Sequence, residues 1–411
     1  MLNRRQLMGG SLSGFFAFAM RNRLSDLFGR VANGPDASKQ KAKRCIVLWM
    51  EGGPSQLDTF DPKPGQSTGG PVSAIKTSAD GIKISEYLPQ GAGQMDNLSV
   101  IRNLTSQEGE HVRASHYLHT GFQFAPSFPR PSMGSVVSSR APDGDLPKYV
   151  SLGSPGFGPA FMGPENAPFS IQNLREAKQL IQGIGRRSSR LELLNQLDQT
   201  FSKTVDDHRL QQRRANLEKI QRMTSTDLVR AVDVDRFTQA DRTRYGNSAF
   251  GRRCLVARKL LDIGVNFVEV QLGGWDTHEQ NFRNVRRLCN QIDRPFAALV
   301  EDLKSSGMYD DTILIWMGEF GRTPNINGRS GRDHFPRCTP VVIGGGPIKT
   351  GIAVGKTDAK GIQIEGDSYQ VADLFATVYS AFGIEPDTEF TTDFDSPTTA
   401  TDSGKIISEL I

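Results

Sequence analysis

The sequence predicts an α/β fold, and three observations carry that prediction. Thr312–Met317 (TILIWM) is continuously apolar and β-branched, as a strand buried on both faces of a parallel sheet requires. Val265–Gln271 (VNFVEVQ) reads as a second strand, and between the two lies a segment with apolar residues at 282, 285, 288, 292, 296, 299 and 303. Strand, helix and strand in that order, at this crossover length, suit parallel pairing. Both runs also turn polar at their carboxyl ends, which is where open α/β sheets hold their ligands.

In chain order, Met1–Met20 (MLNRRQLMGGSLSGFFAFAM) places paired Arg4 and Arg5 before a short, weakly apolar Gly/Ser/Phe/Ala stretch. This resembles a bacterial twin-arginine export signal, with Ala17-Phe18-Ala19 as a small-residue cleavage site. The apolar run is far short of the ~20 residues that a membrane span needs, so no transmembrane segment is expected. Export signal and linker are assigned to 1–33, and 44–411 to a single domain. Cys45–Met50 is the first buried strand, and a further strand is expected near Leu98–Ile101. Residues 122–170, rich in Pro, Gly and Ser, read as long ordered loops over the sheet end. A helical insertion is expected over about 186–245; within it the apolar spacing from Leu191 is helical and His208 falls on a charged, solvent-facing stretch. Helices are expected over about 248–263 and 371–386, and Thr339–Ile343 as another short strand. The last twenty residues read as an edge or tail.

Composition narrows the function classes. Net charge is +4 from 49 basic and 45 acidic residues, and basic residues do not interleave with aromatics, so nucleic acid is not an expected partner. Cys45, Cys254, Cys289 and Cys338 show neither CxxC nor zinc-finger spacing and read as buried free thiols. The run Gly344–Gly346 lacks a helix-opening nucleotide fingerprint.

What remains is a constellation of polar residues at three strand ends. Glu51 and Ser55 follow the first strand, Asp276 and His278 the second, Glu319 and Arg322 the third, and Asp333 and His334 come from the next loop. His111, His116 and His119 cluster within eleven residues. Oxygen and imidazole donors without thiolate suit Zn, Mn, Mg or Ca. Asp276, His278, Asp333 and His334 are the candidate metal ligands, with Glu319 and Glu51 as extra carboxylates. Arg322 or Arg332 would grip a pair of phosphate or sulfate oxygens.

Six segments then carry a resemblance: GGPSQLDTFDPKP (52–64), RYGNSAFGRRCLVARKLLDIGVNFVEV (244–270), GGWDTH (273–278), WMGEFGRTP (316–324), GRDHFP (331–336) and DLFATVYSAFGIEP (373–386). Together they resemble the exported bacterial family called domain of unknown function 1501, DUF1501. That family is placed with the alkaline phosphatase and sulfatase superfamily. The resemblance implies a three-layer architecture, a mostly parallel central sheet flanked by helices. Laid against a sulfatase pattern, Glu51 falls on the first-strand metal aspartate, Glu319 on the later metal aspartate and Phe320 on a histidine ligand. His111 takes the place of the Cys or Ser nucleophile, so the ordinary formylglycine mechanism is not implied.

The expectation is an exported, metal-dependent hydrolase of phosphate or sulfate esters, with an anionic ester or polysaccharide as substrate. His111 or a metal-bound water would stand in for the covalent nucleophile, with His116 as proton carrier. The alternative is a catalytically degenerate relative that binds glycan or a partner protein through its Pro/Gly-rich rim.

Overall fold

Arg44–Trp49 (β1) runs through the middle of an eight-stranded sheet in the computed structural model, which describes residues 41–186, 226–392 and 395–411. The other strands are Ser99–Ile101 (β2), Tyr149–Leu152 (β3), Phe169–Ile171 (β4), Phe267–Gln271 (β5), Thr312–Met317 (β6), Val341–Gly344 (β7) and Ala353–Val354 (β8). Their order is β8-β2-β7-β6-β1-β5-β3-β4. β1 pairs in parallel with both β5 and β6, with Leu48 opposite Val270 and Trp316. β7 is antiparallel to both its neighbours, β6 and β2. The sheet is therefore mostly parallel, and the carboxyl ends of β5, β1 and β6 lie side by side.

Strand alternation splits the interior into two cores. Ile46, Leu48, Val268, Val270, Leu314 and Trp316 face one way, toward Ala249–Asp262 (α3) and Asn281–Ser305 (α4). Cys45, Val47, Trp49, Phe267, Ile313 and Ile315 face the other way. There they meet His111–Thr120 (α1), Met133–Ser139 (α2) and Val371–Ala381 (α5). Three layers result, as the resemblance implies. Each fully buried Val, Leu or Ile contributes about 1.5–3 kcal/mol, which is why the central runs carry no polar alternation. The four cysteines are buried and free.

Two sequence readings change. Residues 122–170, read as loops, supply β3, β4 and α2. Each strand is only three or four residues long between Pro and Gly neighbours, too short for a period to show, and its pairing comes from the adjacent strand. The last twenty residues are no free tail: Ile407 and Leu410 are fully buried in the α1–α5 core, and Ile407 N–H donates to Thr377 Oγ1 of α5 at 2.8 Å. The expected export signal over 1–33, His208 and most of the insertion at about 186–245 lie outside the described residues. The described part of that insertion is helical at Thr226–Val232 and Gln239–Tyr245.

Candidate metal centre

The turns leaving β1, β5 and β6 are laced together by backbone hydrogen bonds. Met50 N–H donates to Met317 O, Leu272 N–H to Trp49 O and Trp275 N–H to Glu51 O. Gly52 sits at the tightest point with φ +112°, and a Cβ there would lie 2.3 Å from the Asp276 nitrogen. Only glycine allows that approach. Its N–H donates to Glu319 Oε1 at 2.8 Å, so the first strand end fixes the carboxylate of the third.

Four side chains then meet at one oxygen. Asp276 Oδ1 lies 2.6 Å from Arg322 Nη2, 3.1 Å from His278 Nε2 and 3.4 Å from the Nε2 atoms of both His111 and His334. His278 Nε2 and His334 Nε2 are themselves 2.9 Å apart. The opposite nitrogen of each ring is engaged elsewhere. His111 Nδ1 lies 2.8 Å from Glu319 Oε1, His278 Nδ1 2.7 Å from Asp333 Oδ1, and His334 Nδ1 2.7 Å from the Gly109 carbonyl. Each of these partners is an acceptor, so in the tautomer that matches them Nδ1 carries the proton and the Nε2 lone pair turns inward.

Three lone pairs and a carboxylate oxygen crowded together repel one another, and of these Arg322 hydrogen-bonds only the carboxylate, so a bound cation would relieve the rest. Nδ1 held by carboxylate or carbonyl while Nε2 is left free is the arrangement by which proteins orient metal-binding imidazoles. Tetrahedral Zn ligands at 2.0–2.1 Å would stand about 3.3 Å apart, close to the spacings here. Buried Glu319 Oε2 has no hydrogen-bond partner, which adds an unsatisfied oxygen beside the cluster. The donor set fits a divalent ion held by His111, Asp276 and His334, with His278 adjoining.

Proton affinities follow the contacts. The Glu319 hydrogen bond raises His111 above the ordinary imidazole value. Burial lowers His334. Burial alone would raise Asp276, but its hydrogen bond to Arg322 and the nearby cations outweigh that and hold it below the usual carboxylate range. The His278 contact lowers Asp333.

The remaining expected residues are placed as follows. Asp333 reaches the cluster only through His278 Nδ1. Glu51 is exposed and lines the same cavity, with its carboxylate against Gly273. His116 stands apart on α1, its ring against Phe124 and Phe157. Phe320, fully buried, packs beneath the rings of His111 and His334.

Arg322 and Arg332, foreseen as grips for an anion, both turn inward. Arg322 is fully buried, and its guanidinium donates to Gly53 O, Gly52 O, Arg332 O and Asp276. Arg332, also fully buried, holds Asp58 through Nε and Nη2 at 2.8 and 3.2 Å and donates to the carbonyls of Thr323, Pro324 and Thr68. Both brace the loops that carry the centre, because a buried guanidinium must be paired on every side. Asp58 further accepts from Asn281 Nδ2, and Thr277 Oγ1 donates to Asn281 Oδ1. Sequence reasoning missed this brace: Asp58 lies over 200 positions from its partners, and no local pattern links them.

The cavity beside the centre has a volume of about 490 Å³ and runs along one face of α1, past His111, Ser115 and His119. At its inner end Glu269, on β5 and 2% exposed, faces His119. Sequence held one signal of this pair, a glutamate inside an otherwise apolar strand.

Fold and site together define a three-layer α/β protein with a histidine–carboxylate centre at the carboxyl edge of its sheet. The chain belongs to the family described as "Protein of unknown function (DUF1501)", which it matches over residues 42–411. No curated protein matches it. Among solved structures it is similar to a protein in the alkaline phosphatase superfamily from Vibrio parahaemolyticus, at 13% identity and TM-score 0.36, covering 84% of this chain and 67% of that one. It is also similar to the PsFucS1 sulfatase from Pseudoalteromonas sp., at 12% and 0.38, covering 89% and 70%. A third is TAB5 alkaline phosphatase in a variant with Mg bound in its M3 site, at 13% and 0.41, covering 84% and 99%. Likeness at this level carries no argument about chemistry. No helix among the described residues is long and apolar enough to cross a membrane.

Proposed function

We propose that the protein is an exported, divalent-metal-dependent hydrolase of phosphate or sulfate esters. The observation that carries the reading is the convergence of three Nδ1-anchored imidazoles on Asp276 Oδ1. His111, Asp276 and His334 would hold the ion, with His278 adjoining. When bound, a Zn, Mn, Mg or Ca ion supplies Lewis-acid polarisation of an ester oxygen and a lowered pKa for water. The protein's own part is orientation. Glu319, Asp333 and the Gly109 carbonyl keep each Nδ1–H in place, and Arg322 clamps Asp276 in the plane that faces the rings. Gly52 and Phe320 pack beneath the centre, Gly52 against the Asp276 backbone and Phe320 against the His334 ring. The leader with Arg4 and Arg5 supports export of the folded, loaded chain.

The test is hydrolysis of aryl phosphate and aryl sulfate esters by the full chain, before and after chelation and after return of each metal. Turnover that chelation removes and one metal restores supports the proposal. Turnover indifferent to chelation, or none with a fully loaded protein, contradicts it. The inward turn of both arginines favours a second reading, a degenerate relative that binds glycan or protein without cleaving it. A loaded but inert protein would select that reading.

A further inference from the structure

The cavity that opens from the histidine centre has a chemistry of its own. Beyond the centre it is lined by Glu51, Gln271 and the His119–Glu269 pair, with Phe157 and Val112 as its apolar walls, and among the described residues no lysine or arginine lines it. The inner pair is buried but not fully satisfied. His119 Nδ1 lies 2.7 Å from the Ser115 carbonyl, while Nε2 lies 3.3 Å from Glu269 Oε2 without making a hydrogen bond. Glu269 also accepts from Tyr149 OH at 3.2 Å and Ser154 Oγ at 3.1 Å. Phe157 stacks on the His119 ring with centroids 3.9 Å apart. Next to this pair Gln271 Oε1, buried and without a hydrogen-bond partner, lies on the same strand face as Glu269, two residues along.

Two consequences follow for a ligand. A second anionic substituent would meet Glu269 and Glu51 with no lysine or arginine in the described lining to shield it, a like-charge contact in a partly desolvated space. The unpaired acceptors call instead for donors, and an aromatic wall beside them calls for an apolar ring face. An uncharged ring bearing hydroxyls offers both. His111 and His119 are eight residues apart on one helix, about 12 Å, so such a ring would lie within reach of an ester group at the centre.

We propose that the inner half of this cavity is a subsite for an uncharged, hydroxyl-bearing ring, the alcohol part of an ester carrying a single anionic group. This deepens the reading of the site as an ester hydrolase and rests on it. Phe157 and Gln271 bind the ring, Glu269 and His119 form its polar floor, and densely charged chains are excluded.

The test uses the full chain and three probes: a methyl hexopyranoside, its monosulfate and its disulfate, across several hexose epimers. Binding is followed by calorimetry in metal-loaded and chelator-treated protein. The account expects some neutral hexopyranoside to bind with and without metal, and the disulfate to bind at least tenfold more weakly than the monosulfate. Phe157→Ala and Gln271→Leu, each checked for unchanged metal content and melting temperature, should weaken the neutral ring at least tenfold. Equal or tighter binding of the disulfate, no binding of any neutral ring, or indifference of that binding to both variants would overturn the subsite. A protein that binds the neutral ring but holds no metal and cleaves no ester would overturn the hydrolase reading, and the subsite would then be a plain sugar-binding site.

Discussion

The molecule holds two imidazole–carboxylate clusters about two helical turns apart on α1, and they are built in opposite ways. At the inner cluster both nitrogens of His119 face oxygens, and Glu269 is further satisfied by Tyr149 and Ser154. Burial would raise the Glu269 carboxyl, but the facing imidazole and the hydroxyl donors outweigh it and leave the group lowered. At the outer cluster each ring is anchored through Nδ1, and the three Nε2 atoms gather round Asp276 Oδ1, with those of His278 and His334 2.9 Å apart. The same residue types make a single buried contact in one place and a ring of three imidazoles round one carboxylate oxygen in the other. The difference lies in which second-layer oxygens surround them.

The comparison can be broken at either end. The largest effect is expected from Asp276→Ala with His334→Ala, which should abolish stoichiometric metal binding while leaving the far-ultraviolet spectrum unchanged. Next is the brace beneath the outer cluster. Arg332→Ala strands a fully buried Asp58 and should cost about 3–5 kcal/mol of stability in denaturant titration. Glu319→Gln should weaken metal binding about 10–100-fold, as loss of an orienting partner does.

The same Glu319 variant sharpens the proton accounting. His111 is raised in the folded state, so in metal-free protein its proton stabilises the fold below the ordinary imidazole value of 6.5, and that contribution fades as pH rises through the raised value. Metal uptake needs that proton gone, so affinity should fall up to about tenfold per pH unit below the raised value. Glu319→Gln should move that midpoint to lower pH. The smallest effect is at the inner pair. Glu269 is lowered when folded, so its ionised form adds stability above the ordinary 4.5 that is lost as pH falls through the folded value. Glu269→Gln should cost about 1–3 kcal/mol at neutral pH, and the gap to wild type should narrow in acid.

How much of this could be read from sequence depended on how local its cause was. TILIWM and VNFVEVQ announced β6 and β5 because burial on both faces removes polar alternation, and the polar residues after them marked the edge where the centre lies. β3 and β4 went unseen because their stability comes from pairing, β3 with β5 and β4 with β3, not from their own four and three residues. Asp276, His278 and His334 were legible as strand-end and loop donors. The Gly109 carbonyl that fixes His334 was not, since a backbone acceptor leaves no trace in residue type. The arginines were legible only by type. Their types suggest anion binding, and only the fold shows donors directed to Asp276, Asp58 and the carbonyls of Gly52, Gly53, Thr68, Thr323, Pro324 and Arg332.

The most direct test of the outer cluster is metal analysis of the full chain, purified without chelator, joined to X-ray absorption at the edge of whatever ion is found. The account predicts one tightly held divalent ion with about three imidazole nitrogens and a carboxylate oxygen in its shell, absent from the Asp276→Ala/His334→Ala protein. A folded wild-type protein that stays free of metal when Zn, Mn, Mg and Ca are supplied would contradict it.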